Sequence, residues 1–318
     1  MATNAVSPNV GKTALDRIVA DRFDTSTKPG SASVTDPLIF NQVPISRSAQ
    51  IEEIFHGGGY WEIKGESANV PAGQSKVGNQ VTYTVVDFAK SEDISKNFFD
   101  DDQFSVVAKI VDRMARNGAL TREREGFGRS FVDAFTTNLT HDGSSLCNDS
   151  HNLFGSGKTQ DNRLTDKLNE TPLNSAIVLL AEMLSEDGVI EHYEPQILLV
   201  PSARFKGATE LVESELQSTT ANNAVNVYSS KYGIFVKQTP FIGAKNTTGD
   251  GGSDNIWFLL SDYHQLNRYI RQDVQTDLVD YKFQRNNNYV YKASYREVYG
   301  SPSWTGLVGS TGTTGTNL

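Results

Sequence analysis

With 318 residues the chain can build one large domain or two modest ones, each with a core of its own. A 37% hydrophobic and 21% charged composition excludes both a membrane-embedded and a disordered chain, and the single cysteine, Cys147, excludes an internal disulfide or a thiolate-rich metal site. A formal charge of −9 without any run of Lys and Arg argues against tight sequence-independent binding to phosphates, although an acidic wall that merely encloses DNA stays compatible.

The opening MATNAVSPNVGKTALDR has no basic stretch followed by an apolar one, and no segment approaches the roughly 18 apolar residues of a membrane span. A protein made and kept in a cytoplasm, with no membrane partner, is expected. Residues 1–47 combine Leu15, Ile18, Val19 and Phe23 at helical spacing with the polar run TSTKPGSASVTDP, which predicts an extended arm carrying a helical turn or two. Such an arm buries little of its own surface, so it is either a disordered tail or lies on something else, such as a neighbouring subunit. Residues 60–66 (YWEIKGE) and 80–88 (QVTYTVVDF) are rich in aromatic and β-branched residues and predict a β-hairpin with a long Gly/Pro/Asn-containing loop. The spacing suits an ordinary hairpin packed on its own domain, or one whose long loop works outside it.

After Asp100, Asp101 and Asp102, which suit a helix N-terminus, Phe104, Val107, Ala108, Val111, Met114 and Ala115 recur on one helical face. The pattern breaks at Asn117-Gly118 and resumes at Leu120, Phe127, Phe131, Ala134 and Phe135. A helix of roughly 35 residues would span about 50 Å, with a kink at Asn117-Gly118 or a bend at Gly126 and Gly128. Residues 137–170 read as a polar loop. Thr171-Pro172 then opens a helix with Leu173, Ala176, Ile177, Leu180, Ala181 and Leu184 as its apolar stripe and Gly188 as its stop. Residues 197–200 (ILLV) predict a buried strand feeding a helix with Phe205, Ala208, Leu211 and Val212 inward. Residues 234–236 (IFV) and 256–260 (IWFLL), joined by AKNTTGDGGSDN, predict paired strands, so that roughly 189–270 forms a compact α+β unit. Residues 279–283 (VDYKF) and 289–295 (YVYKASY) predict late strands ahead of a Gly/Thr/Ser tail.

Three motifs invite chemistry and fail to support it. GSGKT at 155–159 lacks the first glycine of a phosphate loop, where Asn152 stands, as well as the flanking strand and helix. His141, Cys147, Asp149 and His151 are metal-binding types, but one Cys and two His in a polar loop are too few at too loose a spacing. A Cys/His nucleophile pair there would lack an oriented third group. The five histidines, His56, His141, His151, His192 and His264, include no HExxH pattern. No catalytic, cofactor-binding or metal-binding residue is therefore expected.

LTHDGSSLCNDSHNLF, the helix from Thr171, PQILLVPSARFKGATELVESEL, DNIWFLLSD and YVYKASYREVYGSPSWTGLVGS follow one another across most of residues 95–310. In that order and spacing the chain resembles the Mu-like phage major head subunit (gpT-like) group of the Hong Kong 97-type capsid fold. The resemblance implies an α+β fold with an N-terminal arm (1–47), an extended β-hairpin loop (48–94) and a spine helix (95–136). It further implies a peripheral domain built from 137–188 and from 271–318, the latter with the C-terminal tail, and an axial domain (189–270) inserted between them.

The implied function is that of a major capsid protein, self-assembling as pentamers and hexamers into an icosahedral shell. The shell encloses double-stranded DNA without sequence-specific binding, and belongs to a virion assembled in a host bacterial cytoplasm. The implied partners are the chain itself, a separate scaffolding protein, a portal and, where one exists, a cement protein. Intersubunit packing is expected from Leu15, Ile18, Val19 and Phe23 of the arm, and from Tyr60, Trp61, Ile63, Lys64, Val81, Tyr83 and Val85 of the hairpin. Some members of the fold join a hairpin Lys to a neighbour's Asn; Lys64 and Lys76 lie in this hairpin, but no motif marks an acceptor or a catalytic Glu, so no crosslink is expected. The competing readings are a cytoplasmic α+β hydrolase using the 137–160 loop, and another phage structural protein such as a tail or decoration subunit. The latter would lack the spine helix and the inserted domain.

Overall fold

Two sheets, each backed by helices, organise the computed structural model of the chain, which describes residues 8–23, 30–56, 58–73, 75–100, 104–214, 225–246, 251–280, 282, 284, 286 and 288–315. Helix α1 (Pro8–Phe23) is followed by strands β1 (Asn41–Pro44), β2 (Ala49–His56), β3 (Lys76–Thr84) and β4 (Val86–Ser95). The short helix α2 (Lys96–Asp100) precedes the long helix α3 (Phe104–Phe127). Strands β5 (His151–Leu153), β6 (Lys158–Gln160) and β7 (Arg163–Asp166) lead to helix α4 (Glu170–Ala181). Strand β8 (Pro195–Pro201), helix α5 (Phe205–Val212) and strands β9 (Phe235–Thr239) and β10 (Trp257–Ser261) come next. The long strands β11 (Asn267–Val279) and β12 (Asn288–Gly300) and a final strand β13 (Leu307–Thr314) complete the order.

The first sheet runs β1-β11-β12-β4, with β1 parallel to β11 and the other pairs antiparallel. Helices α1 and α3 cover one of its faces, where Leu15 and Val19 meet Val107, Val111, Met114, Ala115, Tyr289 and Tyr291 in one core. The second sheet runs β7-β13-β10-β8-β9. Its central strands β10 and β8 are apolar along nearly their whole length because both faces are covered, and Leu173, Ile177 and Leu180 of α4 pack into the same core. Phe127, the last residue of α3, and Phe131 in the turn after it belong to this second core, so the long helix links the two sheets. Arg122 of α3 sits 4.8 Å from the ring centres of both Phe23 and Tyr295, a cation–π contact that ties α1 to β12.

Several sequence expectations shift. Asn117-Gly118 does not break α3, because the missing Cβ of Gly118 makes room for the Phe23 ring of α1. The helix changes instead beside the other expected position, Gly126 and Gly128, passing after Phe127 into a widened turn at 128–132 and a tight one at 133–135. Asp101 and Asp102 lie outside the described residues, and Asp100 ends α2. Helix α4 starts one residue before Thr171, capped by the Asn169 side chain, which accepts the Glu170 N–H. It ends at Ala181, and Gly188 serves instead in the turn at 185–189, at φ +76°. Strands β9 and β10 do not pair with each other: β8 runs between them, parallel to β9 and antiparallel to β10. The late strand expected at 279–283 ends with β11 at Val279, and Tyr281 and Phe283 lie outside the described residues. The Gly/Thr/Ser tail is strand β13, whose glycines lie close under neighbours; a Cβ on Gly309 would touch the Cys147 sulfur and the Phe258 ring. Both β7 and β13 come from outside 189–270, yet they extend the sheet formed there.

Candidate assembly surfaces

Among the described residues, strands β2 and β3 pair only with each other, as a two-stranded ribbon that ends in a long tip, described at 58–73 and 75. The expected strand at 60–66 does not form. Its residues find no partner strand among the described residues and lie exposed in the tip, while the pairing strand is β2, which starts eleven residues earlier. The tip presents Trp61 at 98% and Ile63 at 100% exposure, with Tyr60 and Lys64 beside them. Ile51, Phe55 and Val77 add exposed apolar surface along the ribbon, with Phe55 opposite Val77. Sequence reasoning missed Ile51 and Phe55 because AQIEEIFH places Ile54 and Phe55 side by side and hides the alternation, and Val77 because it stands alone among the polar and glycine residues of SKVGN.

The root of the ribbon is anchored. Tyr83 stacks on Tyr269 of β11 with ring centres 5.5 Å apart, and Gly300 of β12 leaves room for the Tyr83 ring where any Cβ would overlap it. Val81, Tyr83 and Val85 are half-buried, and the Val85 N–H donates to the Ser48 carbonyl where the chain passes from the ribbon into β4. Further out, the ribbon touches the 185–191 turn: the Gly58 N–H donates to Asp187 Oδ2 at 2.8 Å and the Ile190 N–H to the Tyr60 hydroxyl at 3.1 Å. Asn79 Nδ2 donates to the His141 carbonyl at 3.0 Å. The arm residues are placed differently from the expectation. Leu15 and Val19 are 5% and 1% exposed inside the chain's own core, with Ile18 and Phe23 packed against it, so the first two have almost no surface left for a neighbour.

The 137–162 segment, exposed along much of its length, is fastened from within by a buried polar network around His141, His151 and Asn162. His151 Nδ1 lies 2.8 Å from Asp142 Oδ2 and its Nε2 3.1 Å from Asn162 Oδ1, while its ring stacks on Trp304 at 4.4 Å. Burial alone would raise the Asp142 pKa, but hydrogen bonds from His151, the Thr140 hydroxyl and the Ser144 N–H hold it well below the usual carboxylate range. His141 lies 2.7 Å from Glu186 Oε1 and 3.0 Å from the Pro302 carbonyl. Burial opposes its charge, yet the hydrogen bond and negative charge of Glu186 outweigh that and raise its pKa. Burial pushes the Cys147 thiol up, away from thiolate, and both nitrogens of His151 are already engaged. The segment thus assembles a fastening and no nucleophile–base pair. Among the described residues no three His, Cys, Asp or Glu converge as a metal site, and GSGKT forms the turn and second strand of the β5–β6 hairpin.

A family model described as phage capsid protein matches residues 78–309. No curated protein matches the sequence. Among solved structures, the capsid of the cyanophage P-SCSP1u aligns at a TM-score of 0.58 and 10% identity, over 90% of this chain and 89% of that one. The virus-like particle from Pyrococcus furiosus aligns at 0.55 and 12% identity, over 94% and 98% of the two chains. The capsid of the Myoviridae phage XM1 aligns at 0.52 and 12% identity, over 91% and 95%. At such identities the likeness is one of fold, and the shared fold is the α+β Hong Kong 97 type. With the family model covering most of the ribbon's second strand, the long helix and both sheets apart from β1 and the end of β13, the chain belongs to the phage capsid protein family, as a structural, non-enzymatic subunit of the icosahedral phage head.

Proposed function

We propose that the subunits close into the head as pentamers and hexamers around double-stranded DNA, and that each lays its ribbon tip on a neighbour. The observation that carries this reading is the tip itself, with Trp61 and Ile63 almost wholly exposed at the end of a ribbon that, among the described residues, pairs with no other strand. An isolated two-stranded ribbon is at best marginally stable, and clustered exposed apolar side chains mark an interaction surface. Lys64 and Tyr60 flank the same contact, and Val81, Tyr83 and Val85 set the angle at which the ribbon leaves the body. Many modest contacts of this kind, repeated by closed symmetry, hold the shell.

The order of the quoted motifs supports membership of the Mu-like, gpT-like group. In that group's terms, the four-stranded sheet with α3 corresponds to the peripheral domain and spine, and the five-stranded sheet to the axial domain, widened beyond 189–270 by β7 and β13. A separate scaffolding protein, a portal and, where one exists, a cement protein complete the partners. The test is negative-stain electron microscopy with sedimentation of the purified full chain, beside a variant in which 58–75 is replaced by a short turn. Closed shells or rings of five and six are expected from the natural chain, and only small species from the variant. A monodisperse monomer or dimer from both would overturn the reading.

A further inference from the structure

The solvent face of α3 departs from the acidic character of the whole chain. Lys109, Arg113, Arg116, Leu120 and Arg124 are all exposed. At 3.6 residues per turn they fall within an arc of about 80° and a length of about 22 Å, so they form one straight stripe. Asp112 is turned aside to Arg22 at 2.6 Å, and Glu123 is buried against Ser33 and the Val34 N–H. Glu125 lies 3.1 Å from Arg129 and 3.9 Å from Arg124. Among the described residues no carboxylate pairs with Lys109, Arg113 or Arg116. The sequence hid this row because its cations are separated by apolar and acidic residues that fold to other faces.

Like charges three and four residues apart repel and destabilise a free helix, and an ordinary solvated face interleaves the two signs. We propose that the stripe is a binding surface for the sugar–phosphate backbone of duplex DNA, an inference that rests on the reading of the chain as a shell around DNA. Duplex DNA carries a charge about every 1.7 Å, so a row of this length meets phosphates in any register without reading sequence. Three of its four cations are arginines, whose planar forks suit phosphate oxygens. An acidic protein would satisfy the charge but would have to present its carboxylates in a matching row.

The experiment measures anisotropy of a labelled duplex of about 30 base pairs titrated with the purified full chain, its R113Q/R116Q/R124Q variant, and K206Q as a control on a distant helix. With four phosphates neutralised, affinity falls about 150-fold between about 50 and about 200 mM salt, against about fourfold for the triple variant. K206Q should behave as the natural chain does. A natural chain with no salt slope overturns the inference without recourse to any variant, as does a triple variant that keeps the natural slope. Polyglutamate is titrated in parallel, and stripe-dependent binding tighter than to the duplex would overturn DNA in favour of an acidic protein. Electron microscopy of the same preparations separates the two readings: shells without DNA binding sink only this inference, and DNA binding without shells sinks only the shell.

Discussion

Arg268 donates from both Nε and Nη2 to Oε2 of Glu297, at 2.9 and 2.6 Å, with the two side chains only 4% and 1% exposed. The pair joins β11 to β12. Arg268 Nη1 also donates to Gln42 of β1 at 2.9 Å, and the Tyr299 hydroxyl donates to the second Glu297 oxygen at 2.8 Å. Arg122 of α3 approaches that oxygen to 3.5 Å. Three strands and the long helix therefore converge on one buried carboxylate.

A buried pair of this kind gives little advantage over apolar packing while intact, but losing one partner strands the other. Replacing Glu297 with Ala should destabilise the chain by roughly 3–5 kcal/mol, and E297Q by less because it keeps an acceptor for Arg268. Denaturant unfolding of the unassembled chain measures both. A cost for E297A below about 1 kcal/mol, the level of an exposed pair, would show that the network holds nothing in place.

Gly126 lies inside α3, where Ala should be better by about 1 kcal/mol on helix propensity alone. A Cβ there would overlap Val34 Cγ1 and lie 2.8 Å from the Tyr299 ring, however, and overpacking costs about 1–3 kcal/mol. We expect G126A to be net destabilising and to loosen residues 33–34, with hydrogen exchange rising at Val34. An unfolding midpoint above that of the natural chain would mean that the arm yields freely and is not held by this contact.

Much of the fold was legible because periodicity survives wherever one face is buried. Val107, Val111 and Met114 marked α3, Leu173, Ile177 and Leu180 marked α4, and residues 197–200 marked β8. What stayed hidden depended on tertiary partners. Nothing local in a Gly/Thr-rich segment announces β13, which forms because β10 and β7 flank it. Gly118 reads as a helix break until Phe23 is seen to fill its space. Aromatic residues read as strand formers and so point to a hairpin strand at 60–66, whereas Trp61 and Ile63 have no strand beside them among the described residues and stay in water. The cationic stripe of α3 needed the helix to be wound before its members met.

His141 provides a pH dependence with a defined sign. Glu186 raises its folded pKa above the ordinary 6.5, so the stabilisation is fully present below 6.5 and is lost as pH rises through the raised value. Asp142, held low, contributes stability that is present above its ordinary 3.8 and disappears as pH falls below it. Urea midpoints should therefore fall on both sides of a mildly acidic plateau. The alkaline limb should flatten in H141Q and the acid limb in D142N. Equal limbs in H141Q and the natural chain would remove His141 from the account.

Trp61 and Ile63 separate folding from assembly. Their side chains are almost free of the body, so exchanging both for Ser should leave the unfolding midpoint of the unassembled chain within the error expected of surface changes, about 0.5 kcal/mol. If the tip seats on a neighbour, the same exchange removes two large apolar contacts from every subunit, and closed symmetry repeats the loss throughout the shell. Sedimentation should then show smaller species at concentrations where the natural chain forms shells. A parallel D187A variant releases the Gly58 N–H from the body and leaves the tip side chains unchanged. It should retain assembly, because the tip is freed to move and its apolar contacts are intact. Shell formation by the Trp61/Ile63 double variant at the natural threshold would place the assembly energy elsewhere, with the exposed Ile51, Phe55 and Val77 stripe of the ribbon as the next surface to alter.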